Sequence, residues 1–312
     1  MKLNKTNISK IGTQIPVPTY NRQELKTGII HIGVGGFHRS HQAMFTELLL
    51  NKEGSGNWGI CGVSFRNEDL KAQLEQQDCL YTNAILDSED SFQIVGAIKE
   101  VLVVKNQLAQ VLARMAATTT KIVSLTVTEK GYCLDANGEL DESLPNIVHD
   151  LSHHEAPSSA IGLLVASLNM RFKANVPSFN VIACDNLPNN GEKLMSAVLQ
   201  FAEKVSPELA SWIKTNTKFP NTMVDSITPK TEPETIALVQ EKLGVADHAP
   251  VQRERFAQWV IEECDFERPA WEKVGVIFTD NVEVFENAKL RVLNGLHSAL
   301  AYIGTLKGHD TV

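Results

Sequence analysis

Gly28-Ile-Ile-His-Ile-Gly-Val-Gly-Gly-Phe-His-Arg-Ser-His41 is the stretch on which the fold reading turns: a short apolar run breaks into glycines and leads into a helical segment over 42–51. A strand, a glycine turn and a helix N-terminus aim backbone N–H groups and the helix dipole at one point, where a diphosphate can be held. Gly33 and Gly35 supply a G-x-G, and His38 stands where the third glycine of G-x-G-x-x-G belongs. The fingerprint is therefore incomplete, and an ordinary strand-to-helix turn competes with it. The candidate cofactor cradle comprises Gly33, Gly35, Gly36, Phe37 and His38.

Outward from the cradle, the apolar run 58–63 has the separation of a second strand in a βαβ unit, whose end normally meets the adenosine ribose. It is followed by Ser64-Phe65-Arg66-Asn67, with no acid directly at the strand end. Arg66 could accept a 2′-phosphate, so NAD and NADP both stay open. Further strands are expected at 92–98, 122–127 and 179–184, with amphipathic helices at 67–77, 106–116, 158–174 and 192–205. This alternation predicts an α/β fold: a Rossmann-like, mostly parallel sheet with helices on both faces. The polar clusters 128–132 and 185–191 fall at carboxyl ends of strands, where ligands collect, although Asn, Asp and Gly also make plain turns. From Phe219 the texture changes, with a helix expected at 232–243 and a Pro-, Arg- and Trp-containing stretch at 250–271.

The segment 284–306 has helical period throughout. At 100° per residue, taking Lys289 as zero puts His297 at about 80° and Asn294 at about 140°, so one face carries an amine, an imidazole and a carboxamide. Leu290, Val292, Leu293, Leu296, Ala299 and Leu300 make the rest apolar almost all round, which predicts a buried helix. Burial is the condition under which a lysine amine serves as a base. The plain alternative is a snorkelling lysine beside two hydrogen-bonded core polar groups.

Composition sets the class. The chain has 312 residues, 43% of them hydrophobic, and a formal net charge of −8, which leaves no basic footprint for nucleic acid or an anionic membrane. A small-molecule substrate is expected, with about two domains by size. No apolar run approaches the ~18 residues of a membrane span, and Met1-Lys-Leu-Asn-Lys-Thr lacks the apolar core of a signal peptide, so cytoplasmic residence is the expectation. The five cysteines, Cys61, Cys79, Cys133, Cys184 and Cys264, form no CxxC pair, which argues against a disulfide framework. His31, His38 and His41 lack a cysteine or carboxylate at ligand spacing, so no metal site is expected. Oligomeric state is not encoded in any of these features.

The blocks HIGVGGFHRSH, GICGVSFR, QDCLYT, VSLTVTEKGY, CDNLPNNGEKL, FPNTMVDSITP and KLRVLNGLHSA, in this order, are similar to the long-chain mannitol dehydrogenase family, over about residues 16–312. The resemblance implies a zinc-independent, NAD-dependent polyol dehydrogenase that interconverts D-mannitol and D-fructose by hydride transfer. Its runner-up is a fructuronate- or tagaturonate-type hexuronate reductase. It further implies Lys289 as general base, Asn186 and Asn294 as the pair stabilising the alkoxide, and His297 as a substrate-positioning group. Asp225 is implied as a substrate contact and Glu286 as a carboxylate passing the proton outward. The chemistry is coherent, because a carbinol carbon gives up hydride readily only if its hydroxyl proton is also removed. Family members continue through a large helical domain, whereas this chain stops at Gly308-His-Asp-Thr-Val. The expected division is a dinucleotide-binding domain over 1–284 and the start of an otherwise missing helical substrate domain over 285–312. A catalytically silent nucleotide-binding fragment is the alternative, and the uncovered side of 284–306 is expected to present an apolar patch.

Overall fold

The computed structural model describes residues 1–54 and 56–309, with the side chains of Leu293, Asn294 and His297 outside the described set. Its strands are β1 (Thr27–Ile32), β2 (Gly59–Ser64), β3 (Tyr81–Ile85), β4 (Ser91–Val95), β5 (Ile98–Val103), β6 (Ile122–Leu125), β7 (Asn180–Ala183), β8 (Thr222–Asp225), β9 (Val251–Arg253), β10 (Gln258–Glu262) and β11 (Ile277–Thr279). Five of them form an entirely parallel sheet in the order β5-β2-β1-β6-β7. Near-continuous burial, as in Ile29 to Ile32 and Ile122 to Leu125, is what a strand covered on both faces requires.

The two covering layers read directly from side-chain alternation. Ile30, Ile32, Val63, Val123, Leu125 and Val181 pack under the helices Val104–Ala116, Ala160–Lys173 and Asn190–Val205. Ile29, Ile60, Val101, Ile122 and Ile182 face the other way, toward the core that holds Ala43, Met44, Leu49 and Leu50 of the helix Gln42–Glu53. The strand order reverses direction between β1 and β6, which opens a crevice at their carboxyl ends.

One expected strand is not a unit. The run 92–98 is divided between β4, antiparallel to β3, and β5, the edge of the main sheet. Gly96 stands at the break: its N–H donates to Glu47 Oε2 at 2.8 Å and its carbonyl accepts from Arg22 Nε at 2.9 Å. A Cβ there would lie 2.7 Å from Pro18, so the chain turns between two sheets where only glycine fits. The hairpin β3–β4 is completed by β9, parallel to β3 with Asn83 opposite Val251. Asp247 seals this join. Its buried carboxylate accepts from Thr82 N (2.6 Å), Gln77 Nε2 (2.8 Å) and Ala249 N (2.9 Å).

The final segment departs from the expected buried, uniform α-helix. It runs as Glu283–Ala288, a π-helical turn Lys289–Asn294 and Gly295–Leu306. Val282 and Phe285 pack with Met223 and Val260, but Leu290 is 49% exposed, Val292 68% and Leu296 55%. The uncovered apolar side expected for this segment is present. The π turn also revises the helical-wheel angles, because i→i+5 bonding turns the chain through less than 100° per residue.

Candidate active site

The glycine loop is built from beneath. Gly33 has φ +104°, and a Cβ there would lie 2.1 Å from the Thr126 carbonyl oxygen. The Thr126 hydroxyl donates to the Gly33 carbonyl at 2.8 Å, His31 Nε2 lies 3.0 Å from that hydroxyl, and His31 Nδ1 lies 2.8 Å from Ser124 Oγ. With the Thr126 proton committed to Gly33, Nε2 of neutral His31 donates and Nδ1 accepts from Ser124. The hydrogen bonds thus run one way from strand β6 into the loop.

His38 was expected in the cradle, but its ring is 1% exposed and stacks on His31 at 3.4 Å between centroids. The helix starts at Gly36, which turns position 38 inward and leaves Gly33, Gly35, Gly36 and Phe37 to face the cleft. Burial holds the imidazoles of His31 and His41 down at about 3 and that of His38 well below its ordinary value. An unfolded chain takes up these protons near pH ~6.5 and the folded one does not, so their stabilisation is complete above that pH and is lost as pH falls toward the folded values. His31→Asn is expected to flatten the pH dependence of unfolding between about pH 6 and 4 by about 1.4 kcal/mol per pH unit, one proton's worth. Urea denaturation at a series of pH values checks this, and an unchanged slope would count against a neutral buried His31.

The opposite wall joins three distant segments. Lys289 Nζ donates to Asn186 Oδ1 (3.0 Å) and the Val224 carbonyl (2.6 Å), and pairs with Asp225 Oδ1 at 3.5 Å. Both charged side chains are only 11% exposed. Asp185 binds the two strand-end clusters together, accepting from Thr128 N (2.7 Å), Val127 N (3.2 Å) and the Tyr132 hydroxyl (3.1 Å). Burial pushes its carboxyl up against those donors. Asn190 locks the same loop to β8: its Nδ2 donates to the carbonyls of Asp185 (3.0 Å) and Thr222 (2.9 Å), and its Oδ1 accepts from Thr222 N (2.9 Å).

A single cleft of about 700 Å³ is lined by Gly33, Gly35, Gly36 and Phe37 at one end and by Asn186, Asp225 and Lys289 at the other. Ser64, Asn67, Thr126 and Thr128 also line it; Ser64, Asn67 and Thr128 fall in the strand-end stretches noted in the sequence without an assigned role, and Thr126 carried no signal of its own. Arg66 is exposed and outside this lining. Glu286 is 9% exposed, accepts from Asn189 N at 3.3 Å, and has its carboxyl raised by burial. A cavity of about 80 Å³ lined by Glu286, Asn186, Lys289 and Pro188 lies between it and the amine. The side chains of Asn294 and His297 lie outside the described residues. Among the described residues, no group of three or more His, Cys, Asp or Glu is placed to hold a metal ion, and no helix is long and apolar enough to cross a membrane.

A family model described as the mannitol dehydrogenase Rossmann domain matches residues 27–273. The chain belongs to the mannitol dehydrogenase family. It is 46% identical over 300 residues to the uncharacterized oxidoreductase YeiQ of Escherichia coli, covering 94% of this chain and 61% of that protein. It is 43% identical over 311 residues to D-mannonate oxidoreductase of the same organism, covering 97% and 64%. Among solved structures, the mannitol 2-dehydrogenase of Pseudomonas fluorescens in ternary complex with NAD and D-mannitol superposes with a TM-score of 0.92 at 43% identity, covering 99% of this chain and 64% of that one. This mannitol dehydrogenase family chain therefore spans less than two thirds of the length of these relatives. The matched domain carries the glycine loop, Asn186 and Asp225 and ends ahead of Lys289.

Proposed function

We propose that the chain forms the cofactor-binding and base-bearing part of an NAD-dependent dehydrogenase that interconverts a secondary alcohol and a ketone on a small polyol, with D-mannitol and D-fructose as the pair. The observation that carries this is the one cleft joining a glycine loop to Lys289, Asn186 and Asp225. The residues present fit a dinucleotide: the cleft lies at the reversal point of a parallel sheet, and its loop is closed by a glycine that admits no Cβ. Gly33, Gly35, Gly36 and Phe37 would hold the diphosphate and Ser64 and Asn67 the adenosine side, and Arg66, outside the lining but close to Ser64 in sequence, stays the candidate for a 2′-phosphate were NADP used. When bound, NAD supplies the acceptor for the hydrogen and electron pair that leave the carbinol carbon.

The protein's own groups handle the proton and the oxygen. Lys289, once its own proton has passed outward, takes the hydroxyl proton. Asn186, whose Oδ1 is committed to that amine, keeps its Nδ2 hydrogens for the developing oxyanion. Asn294 is assigned as the second amide of that pair, His297 as the group that positions the substrate, and Asp225 as acceptor for a neighbouring hydroxyl. Glu286 receives the proton through the intervening cavity, which exceeds the ~10–15 Å³ that one water needs. Asp225 already pairs with Lys289, so the described lining offers a substrate carboxylate no uncommitted cation. That favours a neutral polyol over a hexuronate.

A second reading, a nucleotide-binding unit without turnover, is favoured by the solvent-facing Leu290, Val292 and Leu296 around the base. One assay separates the readings: NADH binding by fluorescence, and NADH oxidation with D-fructose and D-fructuronate. Turnover preferring fructose is the expected result. Preference for fructuronate moves the chain to the hexuronate reductases, and binding without turnover on either leaves the silent unit.

A further inference from the structure

A second cavity, of about 590 Å³, lies on one face of the small sheet formed by β4, β3 and β9. Register puts its polar side chains there together: Asn83 stands opposite Gln93 on one neighbour, and Ile85 stands opposite Ser91 on one side and Arg253 on the other. Alternation along each strand then brings Asn83, Gln93, Ser91 and Arg253 onto the same face.

Two atoms in this face are buried without a partner among the described residues: Asn83 Oδ1, on a side chain only 2% exposed, and Arg253 Nε. One is an acceptor that lacks a donor and the other a donor that lacks an acceptor. Buried polar groups left in this condition are uncommon and costly. Arg253 Nη1 donates to the carbonyls of Glu254 and Arg255, at 3.2 Å each. Neither Arg253 nor Lys242, which also lines the cavity, takes part in an ion pair among the described residues. Asp90 is the one acid in the lining, and it is exposed. Met44 and Ile85 supply an apolar floor.

We propose that this cavity binds a small hydroxylated carboxylate, with a hydroxyl donating to Asn83 Oδ1 and the carboxylate accepting from Arg253 Nε and Lys242. A hydroxyl satisfies the orphan acceptor, an anion satisfies the uncompensated guanidinium, and charge-assisted bonds of this kind are the stronger ones. The residue after Arg253 is tied to the catalytic cleft, since Glu254 N donates to the Ile227 carbonyl at 3.0 Å and Ile227 N to Glu254 Oε1 at 2.6 Å. The pocket is nonetheless distinct from that cleft, sharing no lining residue with it.

The test uses a local reporter. With the methionine methyls labelled with carbon-13 and the Met44 resonance assigned by Met44→Leu, D-gluconate is titrated against the full chain and Met44 is followed by NMR. A saturable shift is expected, weakened about tenfold or more by Arg253→Gln and by Asn83→Leu and unchanged by Lys289→Ala. Thermal melts of each variant establish that it is folded, and the two pocket variants are scored independently. D-Glucitol, which lacks the carboxylate, and acetate, which lacks the hydroxyls, are expected to bind at least several-fold more weakly. No Met44 shift, a shift abolished by Lys289→Ala but not by Arg253→Gln, or equal binding of glucitol or acetate would each overturn the assignment. Because the reporter reads binding alone, absence of dehydrogenase turnover leaves this result intact, and a failed titration leaves the proposed dehydrogenase function untouched.

Discussion

Lys289→Ala is expected to reduce NADH-dependent reduction of D-fructose by roughly 10²–10⁴-fold, the range for removing a positioned acid or base, with NADH affinity changed only a few-fold. On the proposed mechanism, the amine gives a proton to the oxygen in the reductive direction as hydride arrives at carbon. Among the described residues around the amine, Asn186 carries no titratable proton, Asp225 is already paired with Lys289, and Glu286 lies across a separate cavity. A companion variant separates proton transfer from charge. Lys289→Arg keeps a cation beside Asp225, but a guanidinium does not release its proton in the working range, so this variant is also expected to be nearly inactive. Steady-state kcat for both variants is the measurement. Retention of more than about a tenth of the activity in either would remove Lys289 as the base, by the magnitude such groups contribute.

Gly33→Ala is expected to weaken NADH binding by about tenfold or more and to destabilise the fold by about 1–3 kcal/mol or more. Two effects act on the same atom. The residue sits at φ +104°, where side chains are strained, and its Cβ would lie 2.1 Å from the backbone carbonyl of Thr126, just past the end of β6. Gly54→Ala is the control, because it shares a positive φ of 73° but meets nothing within 4 Å. That variant is expected to lose about 1–2 kcal/mol with nucleotide affinity unchanged. Fluorescence titration with NADH and chemical denaturation read both effects, and equal behaviour of the two variants would refute the clash argument.

The parallel sheet was legible in the sequence because its strands are buried on both sides and so appear as unbroken apolar runs, as in Ile29 to Ile32 and Ile122 to Leu125. The hairpin β3–β4 was not. Its division from β5 depends on Gly96 meeting Glu47 and Arg22 from elsewhere in the chain, and no local pattern reports such a meeting. The last helix was legible only in part, its exposed apolar side expected but its π-helical turn not, because an apolar pattern records what burial would gain and not the local hydrogen-bond register. In the candidate site, the family resemblance named Asn186, Asp225 and Lys289, whose contacts join segments roughly 60 to 100 residues apart. Motif position put His38 with the loop, whereas its ring turns inward onto His31, a contact between side chains that no local pattern reports. The supporting roles of Thr126, Asp185 and Asn190 exist only once strand register is set.

The Asp247 join has a consequence for how the chain comes into being. Thr82 waits for a carboxylate 165 residues further along, and β3 waits equally long for β9. During synthesis, β3 is therefore left with one side unpaired while most of the domain emerges from the ribosome, and Arg39 lacks the Ala249 carbonyl that later receives it. Contacts of such long range slow folding and lengthen the interval in which an open strand can recruit another molecule.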